Sequence, residues 1–311
     1  MARHAKNISQ GNTATEHLGV GVLALCFPLQ KVTAIIAACD KADKRVRDLP
    51  AALMVYYVIA LNLFPGVAYQ SVLRWLLSGL QWLGNHQFRV ASKEALSNAR
   101  QRLGALPMQK LHEQMALPMA EKFLPGSYFK DMLLVAFDGS TLALQDTAAN
   151  AEEFGRSSNQ NGDSAWPLAR FVALVECGTH LIFAASLGGY KDSEMHLAKS
   201  LIPRLRKGML CMADRLFPGY EIWKQFAATG SHLLWRAKNS LPLERFEVLA
   251  DGSYLAKWLP KEERKKGSEP VIVRVIEYRL RDPGLAEDNG EIYRLITTIL
   301  DPSVATAAEL A

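Results

Sequence analysis

Two aspartates in this sequence stand directly after short apolar segments, and together they could hold a metal ion. Asp138 follows the apolar segment Met132–Phe137, and Asp214 follows the apolar segment Met209–Ala213. Both segments have the length and composition of buried β-strands. If these strands are neighbours in one sheet, the two carboxylates emerge at the same edge. We predict that they bind Mg²⁺ or Mn²⁺ there, because hard carboxylate oxygens suit these ions better than they suit zinc.

A carboxylate site of this kind fits chemistry on a phosphodiester. Two such ions about 4 Å apart can activate a water or hydroxyl group and stabilise the leaving oxygen. Each aspartate alone also has an ordinary structural interpretation, because an Asp-Gly pair after a strand commonly forms a turn and an Asp before a helix commonly caps it. The matching positions of Asp138 and Asp214 favour the metal site.

The elements that would position the two aspartates form an α/β layer. The predicted order is strand, strand, strand, helix, strand, helix, strand, over residues 132–137, 170–177, 180–187, 192–206, 209–213, 219–229 and 231–237. Three antiparallel strands followed by two helix–strand crossovers make the ribonuclease H-like arrangement. A β-rich insertion follows, with β segments over residues 243–259, 271–280 and 291–300.

The first part of the chain is helical instead. Apolar residues recur at three- and four-residue spacing, which predicts helices over residues 18–26, 30–41, 49–63, 68–81, 92–103 and 107–123. The fold class is therefore α/β, with a helical domain before a mixed sheet. We expect four parts: a helical N-terminal domain (1–126), a ribonuclease H-like core (127–239), the β-rich insertion (240–300) and a short final segment (301–311).

Charge divides the chain at about the same place. Residues 1–130 contain 15 Lys and Arg against 7 Asp and Glu, whereas residues 131–311 contain 21 against 24. A basic first part suits a polyanion such as DNA, although chance clustering of solvated lysines gives the same balance. The four cysteines are scattered, which argues against a zinc ribbon or a disulfide scaffold and suits a reducing cytoplasm.

Several further motifs accompany the aspartates in a fixed order. The segment Ala95–Gly104 carries Arg100 and Arg102 on a predicted helix. Four motifs then follow along the chain: Phe137–Thr141 (FDGST), Leu174–His180 (LVECGTH), Leu210–Arg215 (LCMADR) and His232–Arg236 (HLLWR). This ordered set resembles the bacterial insertion-sequence transposases with an Asp-Asp-Glu active site, of the insertion-sequence-four family. The resemblance covers nearly the whole chain.

The resemblance implies a DNA transposase, a metal-dependent enzyme that cleaves phosphodiesters at transposon ends and transfers the freed strand to target DNA. Asp138 would be its first metal-binding carboxylate and Asp214 its second. The implied partners are the terminal inverted-repeat DNA, the target DNA and a second copy of the chain on the DNA. The implied location is the bacterial cytoplasm.

The third acid of this family is a Glu within the pattern Tyr-x-x-Arg-x-x-x-Glu-x-x-x-x-x-x-Lys, and the sequence has no such pattern. We expect that the chain is truncated before this Glu and is inactive alone. The alternative third acid is Glu194, at the start of the helix after the third strand, where ribonuclease H-like nucleases place a carboxylate. A carboxylate beside Ser193 at a helix start is also an ordinary feature of helix ends.

Five basic residues are candidates for DNA contacts. Arg100 and Arg102 are two residues apart, so they do not share one helix face. Arg215 adjoins the second aspartate, and Arg236 and Lys238 stand at the end of the last core strand, where they could hold phosphates of the scissile strand. Each could equally form an ordinary surface ion pair.

Three functions are compatible with these residues: a DNA transposase, a catalytically inactive truncated form that binds DNA and inhibits transposition, and a stand-alone ribonuclease H-like nuclease that uses Asp138, Glu194 and Asp214. Cleavage of a terminal-repeat duplex that is abolished by Glu194→Gln would favour the nuclease. DNA binding without cleavage would favour the inhibitory form.

Overall fold

The chain folds into two compact units, Met1–Met115 and Ala116–Ala311. The computed structural model describes residues 20–80, 91–159, 162–279 and 292–311 of them. Within these ranges, no helix is long and apolar enough to cross a membrane. Some ends of the predicted elements lie outside the described residues, at positions 18, 19, 81, 280 and 291.

The described part of the first unit is helical. Its helices are α1 (Val20–Cys26), α2 (Leu29–Ala38), α3 (Ala51–Leu63), α4 (Tyr69–Leu80), α5 (Lys93–Leu103) and α6 (Leu106–Met115). Helix α3 is apolar all round, as expected of a helix in the middle of a core. Its side chains Met54, Tyr57 and Ala60 are completely buried.

Helix α6 is shorter than the helix predicted over residues 107–123, because it ends at Met115. Pro118 explains the early end: a proline cannot donate a backbone hydrogen bond, and it disfavours the helical conformation of the preceding residue.

The residues after α6 belong to the second unit. The backbone N–H groups of Met119 and Ala120 donate to the Glu176 carboxylate, at 3.1 and 2.6 Å to Oε1. Glu176 is completely buried, so these bonds satisfy a carboxylate that water does not reach.

The second unit is built on a mixed sheet. Its described strands are β1 (Tyr128–Phe129), β2 (Met132–Ala143), β3 (Ser158–Asn159), β4 (Gly162–Asp163), β5 (Leu168–Glu176), β6 (Ile182–Gly189), β7 (Met209–Ala213), β8 (His232–Ala237), β9 (Leu243–Val248), β10 (Tyr254–Trp258), β11 (Val271–Arg279) and β12 (Ile292–Thr297). The order across the main sheet is β6-β5-β2-β7-β8-β12-β11-β10-β9, with β1 beside β2, while β3 and β4 form a separate ribbon.

The helices of this unit connect or cover the strands. They are α7 (Ala148–Phe154), α8 (Glu194–Lys199), α9 (Tyr220–Ala227), α10 (Lys261–Lys265) and α11 (Ala307–Leu310). The helix predicted over residues 192–206 is cut short at Lys199, and a 3₁₀ turn follows at Ile202–Arg204. Pro203 lies in that turn and cannot donate the hydrogen bond that an α-helix requires.

The strand order gives the predicted succession of elements. Strands β2, β5 and β6 are antiparallel neighbours, and β7 and β8 then join in parallel on the other side of β2. Strands β9–β12 were predicted as an insertion, and they continue the same sheet, because β12 pairs with β8. The fold class is therefore mixed α/β.

The sheet has two different faces. On the first, which we call the aromatic face, Phe137 of β2 and Trp235 of β8 lie against α9. The Phe137 ring is 5.0 Å from the Phe226 ring, and the Trp235 ring is 5.0 Å from the Trp223 ring. All four side chains are almost completely buried.

On the second face, which we call the C-terminal face, Leu210 of β7 and Ile276 of β11 lie against the last part of the chain. Ile299 and Leu310 cover them there. Arg274 fastens this segment, because its buried guanidinium donates to the carbonyl oxygens of Ile299 and Ala305 and forms an ion pair with Asp251.

Candidate metal and nucleic-acid site

Each of the two candidate metal-binding aspartates directly follows the last paired residues of two neighbouring strands, β2 and β7. Strand β2 runs parallel to β7, with Phe137 opposite Ala213. Asp138 and Asp214 are the next residues in that register, and both are exposed. Since neighbouring strands lie about 4.8 Å apart, two short carboxylate side chains in such positions can reach one cation.

The position of Asp138 differs from the predicted one in one respect. The strand was predicted to end at Phe137, whereas β2 continues to Ala143, so Asp138 lies inside the strand beside the end of β7. The continuation is held by β5, which pairs with β2 as far as Leu168 opposite Ala143. Its side chains are mostly exposed, and for this reason the apolar pattern stops before the strand does.

Neither ordinary interpretation of the aspartates describes the structure. Asp138 and Gly139 are part of a strand rather than a turn. The helix after Asp214 begins at Tyr220, and its N-cap is Gly219 rather than Asp214. The Asp138 Oδ1 atom accepts a 2.8 Å hydrogen bond from the Gly139 N–H group.

A basic residue continues the same row of the sheet. Ala213 lies opposite Trp235 of β8, so Arg236 follows Asp214 in the register as Asp214 follows Asp138. We call these three residues the Asp-Asp-Arg row. By the alternation of side chains along a strand, Asp138 lies on the face of Leu134 and Arg236 on the face of Leu234, which is the C-terminal face.

The remaining basic candidates of this unit are exposed. Arg215 directly follows the second aspartate, and Lys238 stands just past the end of β8. Arg236 is half-buried, and its guanidinium carbon lies 4.4 Å from the centre of the Tyr293 ring. The structure thus brings Asp138, Asp214 and Arg236 into one row, with Arg215 one residue after Asp214 and Lys238 two residues after Arg236.

Glu194, the alternative third acid, approaches β2 from the aromatic face. A Cβ atom built on Gly139 would lie 2.5 Å from the Glu194 Cδ atom, closer than real Cβ contacts. The Glu194 carboxylate also pairs with Arg170 of β5, at 3.8 Å. Ser193 is the cap of α8, since its hydroxyl accepts a hydrogen bond from the His196 N–H group. Glu194 therefore lies beside Gly139, the residue after Asp138 in β2, and it is on the opposite face of the sheet from Asp138.

The two arginine candidates of the first unit differ from each other. Arg100 is exposed, with its guanidinium carbon 6.0 Å from the centre of the Tyr69 ring. Arg102 is half-buried and donates a 2.6 Å hydrogen bond to the Leu49 carbonyl oxygen. This hydrogen bond connects the last turn of α5 to the residues just before α3.

The donor set fits a magnesium ion. Mg²⁺ in proteins is usually held by one or two carboxylates, with waters and substrate phosphates as its other ligands. Asp138 and Asp214 provide two exposed carboxylates of this kind. No group of three or more His, Cys, Asp or Glu side chains in the described parts of the chain is arranged to hold a metal, so the fit depends on these two residues.

Sequence reasoning missed two residues around this site. A side chain at Gly139 would require the Glu194 side chain beside it to move. Arg170 pairs with that glutamate and stacks on Tyr190, at 5.4 Å. The Asp-Gly pair was visible in the sequence, but it was interpreted through turn formation rather than through close approach.

Fold and site together define a class of protein: a helical unit joined to a mixed α/β sheet that carries two carboxylates on neighbouring parallel strands. Residues 17–113 match the sequence model of the family described as insertion element 4 transposase N-terminal. The chain is 24% identical over 272 residues to the transposase InsG for insertion sequence element IS4 of Escherichia coli K12, and 25% identical over 211 residues to InsZ of the same strain. By sequence, the chain is similar to transposases of the IS4 family, and its residues 17–113 match that family's N-terminal model.

These similarities cover different shares of the proteins. The alignment with InsG takes in 87% of this chain and 60% of InsG, so the chain spans about three fifths of that relative. The alignment with InsZ takes in 67% of this chain and 68% of InsZ. An endonuclease V structure from Bacillus subtilis aligns with 72% of this chain and 84% of its own, at 12% identity. Its TM-score of 0.26 is too low to establish a shared fold.

Proposed function

We propose that this chain is the DNA-binding and metal-binding part of a transposase that cleaves phosphodiesters at transposon ends and transfers the freed strand to target DNA. The observation that carries the proposal is the placement of Asp138 and Asp214 next to each other at neighbouring parallel strands. The similarity to IS4 transposases supports DNA as the substrate. Because the chain spans about three fifths of InsG, metal and DNA binding are proposed for the chain, and cleavage and strand transfer for the complete enzyme.

In this proposal, Asp138 and Asp214 hold Mg²⁺ or Mn²⁺ at the edge of the sheet. When bound, such an ion activates the attacking water or hydroxyl group and neutralises charge on the leaving oxygen. Arg236 and Lys238 hold a phosphate of the scissile strand beside the carboxylates, and Arg215 contacts the neighbouring phosphate. These contacts position the strand without reading its sequence.

The same proposal assigns the other parts of the chain. Residues 127–239 are a ribonuclease H-like catalytic core, supported by the antiparallel β2, β5 and β6 followed by the parallel β7 and β8. Residues 1–126 bind the terminal inverted repeats, with Arg100 as the exposed contact and Arg102 beside it. Residues 240–300 extend the sheet, and 301–311 return to the core. Two copies of the chain hold two transposon ends together.

Metal binding can be mapped directly on the polypeptide. Fe²⁺ that replaces Mg²⁺ generates hydroxyl radicals from added hydrogen peroxide, while ascorbate reduces the iron back to Fe²⁺, and the radicals cut the backbone near the bound ion. We expect cuts close to residues 138 and 214 and their loss in Asp138→Asn and in Asp214→Asn. The matched control is Asp131→Asn, an exposed aspartate just before β2 that pairs with Lys122. Cuts that persist in both single variants would contradict the assignment of the metal ligands.

DNA binding needs a separate measurement. A duplex made from the ends of the element that encodes this chain is titrated with the protein in Mg²⁺, and the mobility of the duplex is followed in a gel. We expect a retained complex that weakens as salt rises, because phosphate contacts release counterions. If a terminal duplex and an unrelated duplex bind equally at every salt concentration, the assignment of residues 1–126 to the inverted repeats is wrong.

A further inference from the structure

The loop between α2 and α3 presents positive charge that its own acid does not balance. Residues 41–47 read KADKRVR, with four Lys and Arg against one Asp. That acid, Asp43, already has two partners: its Oδ2 atom accepts a 2.6 Å hydrogen bond from the Ala51 N–H group, and its Oδ1 atom lies 3.2 Å from the Arg47 Nε atom. The three remaining basic residues of the loop are all exposed: Lys41, Lys44 and Arg45.

The shape of this loop is held from both ends. At its start, the Lys41 N–H group donates a 3.0 Å hydrogen bond to the Ile36 carbonyl oxygen of α2. At its end, the Asp43 carboxylate accepts the bond from the first residue of α3, and Arg102 of α5 donates to the Leu49 carbonyl oxygen. A loop that is already fixed loses less conformational entropy when a ligand binds than a flexible loop would lose.

Lys44 and Arg45 are the cations of this loop that can reach a partner. Within the parts of the chain that the structure describes, neither side chain forms an ion pair or a hydrogen bond. The next residue, Val46, is completely exposed. A single exposed valine needs no explanation, but a ligand that Arg45 binds would also cover its neighbour. Two adjacent cations on a fixed backbone suit a ligand with closely spaced negative charges, as the phosphates of DNA are.

We propose that this loop contacts the DNA backbone, with Lys44 and Arg45 bound to phosphates and Val46 packed against the sugars beside them. The inference rests on the proposed function, since it names a surface through which the first unit holds DNA. The place of the loop supports it: the Lys41 Nζ atom lies 3.8 Å from a Cβ atom built on Gly104, at the end of α5, the helix that carries Arg100. An anionic membrane also attracts cations, but one valine provides little apolar area to insert.

The test measures the affinity of the chain for a fluorescently labelled duplex of the terminal sequence by anisotropy, over a range of salt concentrations. The main variant is Lys44→Ala/Arg45→Ala. The matched control is Arg264→Ala/Lys265→Ala, which removes an adjacent exposed pair of the same charge from α10. Val46→Ser tests the apolar contact alone. Thermal unfolding of each variant verifies that it folds.

We expect Lys44→Ala/Arg45→Ala to weaken binding about tenfold and to lower the slope of log affinity against log salt by about two, one for each phosphate contact. Val46→Ser should weaken binding about threefold and leave the slope unchanged, because it removes apolar contact but no charge. The control should bind within about twofold of the unchanged chain, since salt screens charges that do not touch the DNA.

The outcomes separate this inference from the proposed function. If the unchanged chain binds the duplex and Lys44→Ala/Arg45→Ala binds as the control does, the loop does not contact DNA, although the proposed function stands. Equal falls of the slope in both double variants would also overturn the inference, since they would show a general effect of net charge. The same holds if Lys44→Ala/Arg45→Ala keeps its affinity for DNA but loses binding to vesicles that contain phosphatidylserine. If the unchanged chain binds no DNA, the proposed function fails and the inference fails with it.

Discussion

The two faces of the sheet are filled differently, although the same strands provide both. On the aromatic face, Phe137, Trp223 and Trp235 are almost completely buried against one another. On the C-terminal face, Leu134 and Leu234 are only half-buried, and the charged residues of the Asp-Asp-Arg row share it. Large aromatic side chains contribute most of the burial that stabilises a core, whereas carboxylates and guanidinium groups need water or partners. The aromatic face therefore contributes the larger part of the core, and the C-terminal face combines a smaller apolar cluster with charged residues.

The largest effect on stability is expected for a completely buried tryptophan of the aromatic face. Trp235→Ala removes a completely buried side chain that contacts Phe137, Trp223 and Phe226. We expect a loss of about 3–5 kcal/mol in the free energy of unfolding, measured by urea denaturation. The matched change on the C-terminal face is Leu234→Ala, which should cost clearly less. Equal losses would remove the distinction between the two faces.

A smaller effect is expected at Gly139, the residue after Asp138 in β2. Gly139→Ala places a methyl group within 2.5 Å of the Glu194 Cδ atom, which should cost about 1 kcal/mol in the free energy of unfolding, since the partly exposed Glu194 side chain can move aside. The loss should be largely recovered in Gly139→Ala/Glu194→Ala, because the second change removes the obstructing atoms. If the double variant is as unstable as Gly139→Ala, the contact with Glu194 is not the cause.

The attachment of the C-terminal segment should depend on pH. Burial alone would raise the pKa of Asp251, but hydrogen bonds from Ser253 and from the Ala307 N–H group, together with the Arg274 charge, lower it below the ordinary value of 3.8. The folded state thus favours the charged carboxylate. Its contribution to stability is fully present above pH 3.8 and is lost as the pH falls below that value through the lowered pKa.

Asp251→Asn should therefore flatten the dependence of stability on pH below 3.8, measured as the urea midpoint at a series of acidic pH values. The variant should be less stable than the unchanged chain at pH 7, because Arg274 loses a charged partner inside the protein. A pH dependence identical to that of the unchanged chain would contradict this role of Asp251.

The smallest effect on stability is expected in the Asp-Asp-Arg row itself. Asp138 is exposed, so Asp138→Asn should change the free energy of unfolding by no more than about 0.5 kcal/mol without metal. In millimolar Mg²⁺, the unchanged chain should melt at a higher temperature because the ion binds the folded state, and the variant should lose that increase. A large loss of stability without metal would make Asp138 a structural residue.

The sequence was most informative where burial and local chemistry agree. Strand β7 has the predicted bounds, Met209–Ala213, because a short apolar run buried on both faces leaves few alternatives. The second half of β2 was missed, since its exposed side chains carry no apolar pattern and only the pairing with β5 makes it a strand.

Contacts that depend on the third dimension could not be predicted. The approach of Glu194 to Gly139 and the stacking of Arg236 on Tyr293 join residues more than fifty positions apart. Both depend on strand register, which periodicity does not specify across distant segments. The proximity of the two aspartates could be predicted because each directly follows an apolar segment. Their positions relative to each other along the strands then follow from the register of β2 and β7.

Strand β12 lies between β8 and β11 in the sheet, although it follows both of them along the chain. Until residues 292–297 emerge from the ribosome, one edge of β8 has unpaired backbone groups. Strands β9–β11 are then not hydrogen-bonded to the strands before them. The pairing of β12 with β8 closes a loop of more than fifty residues, which is slow because long-range contacts cost chain entropy before they stabilise anything. A nascent chain stopped at residue 279 should therefore bind chaperones or aggregate through β8, as open strand edges do.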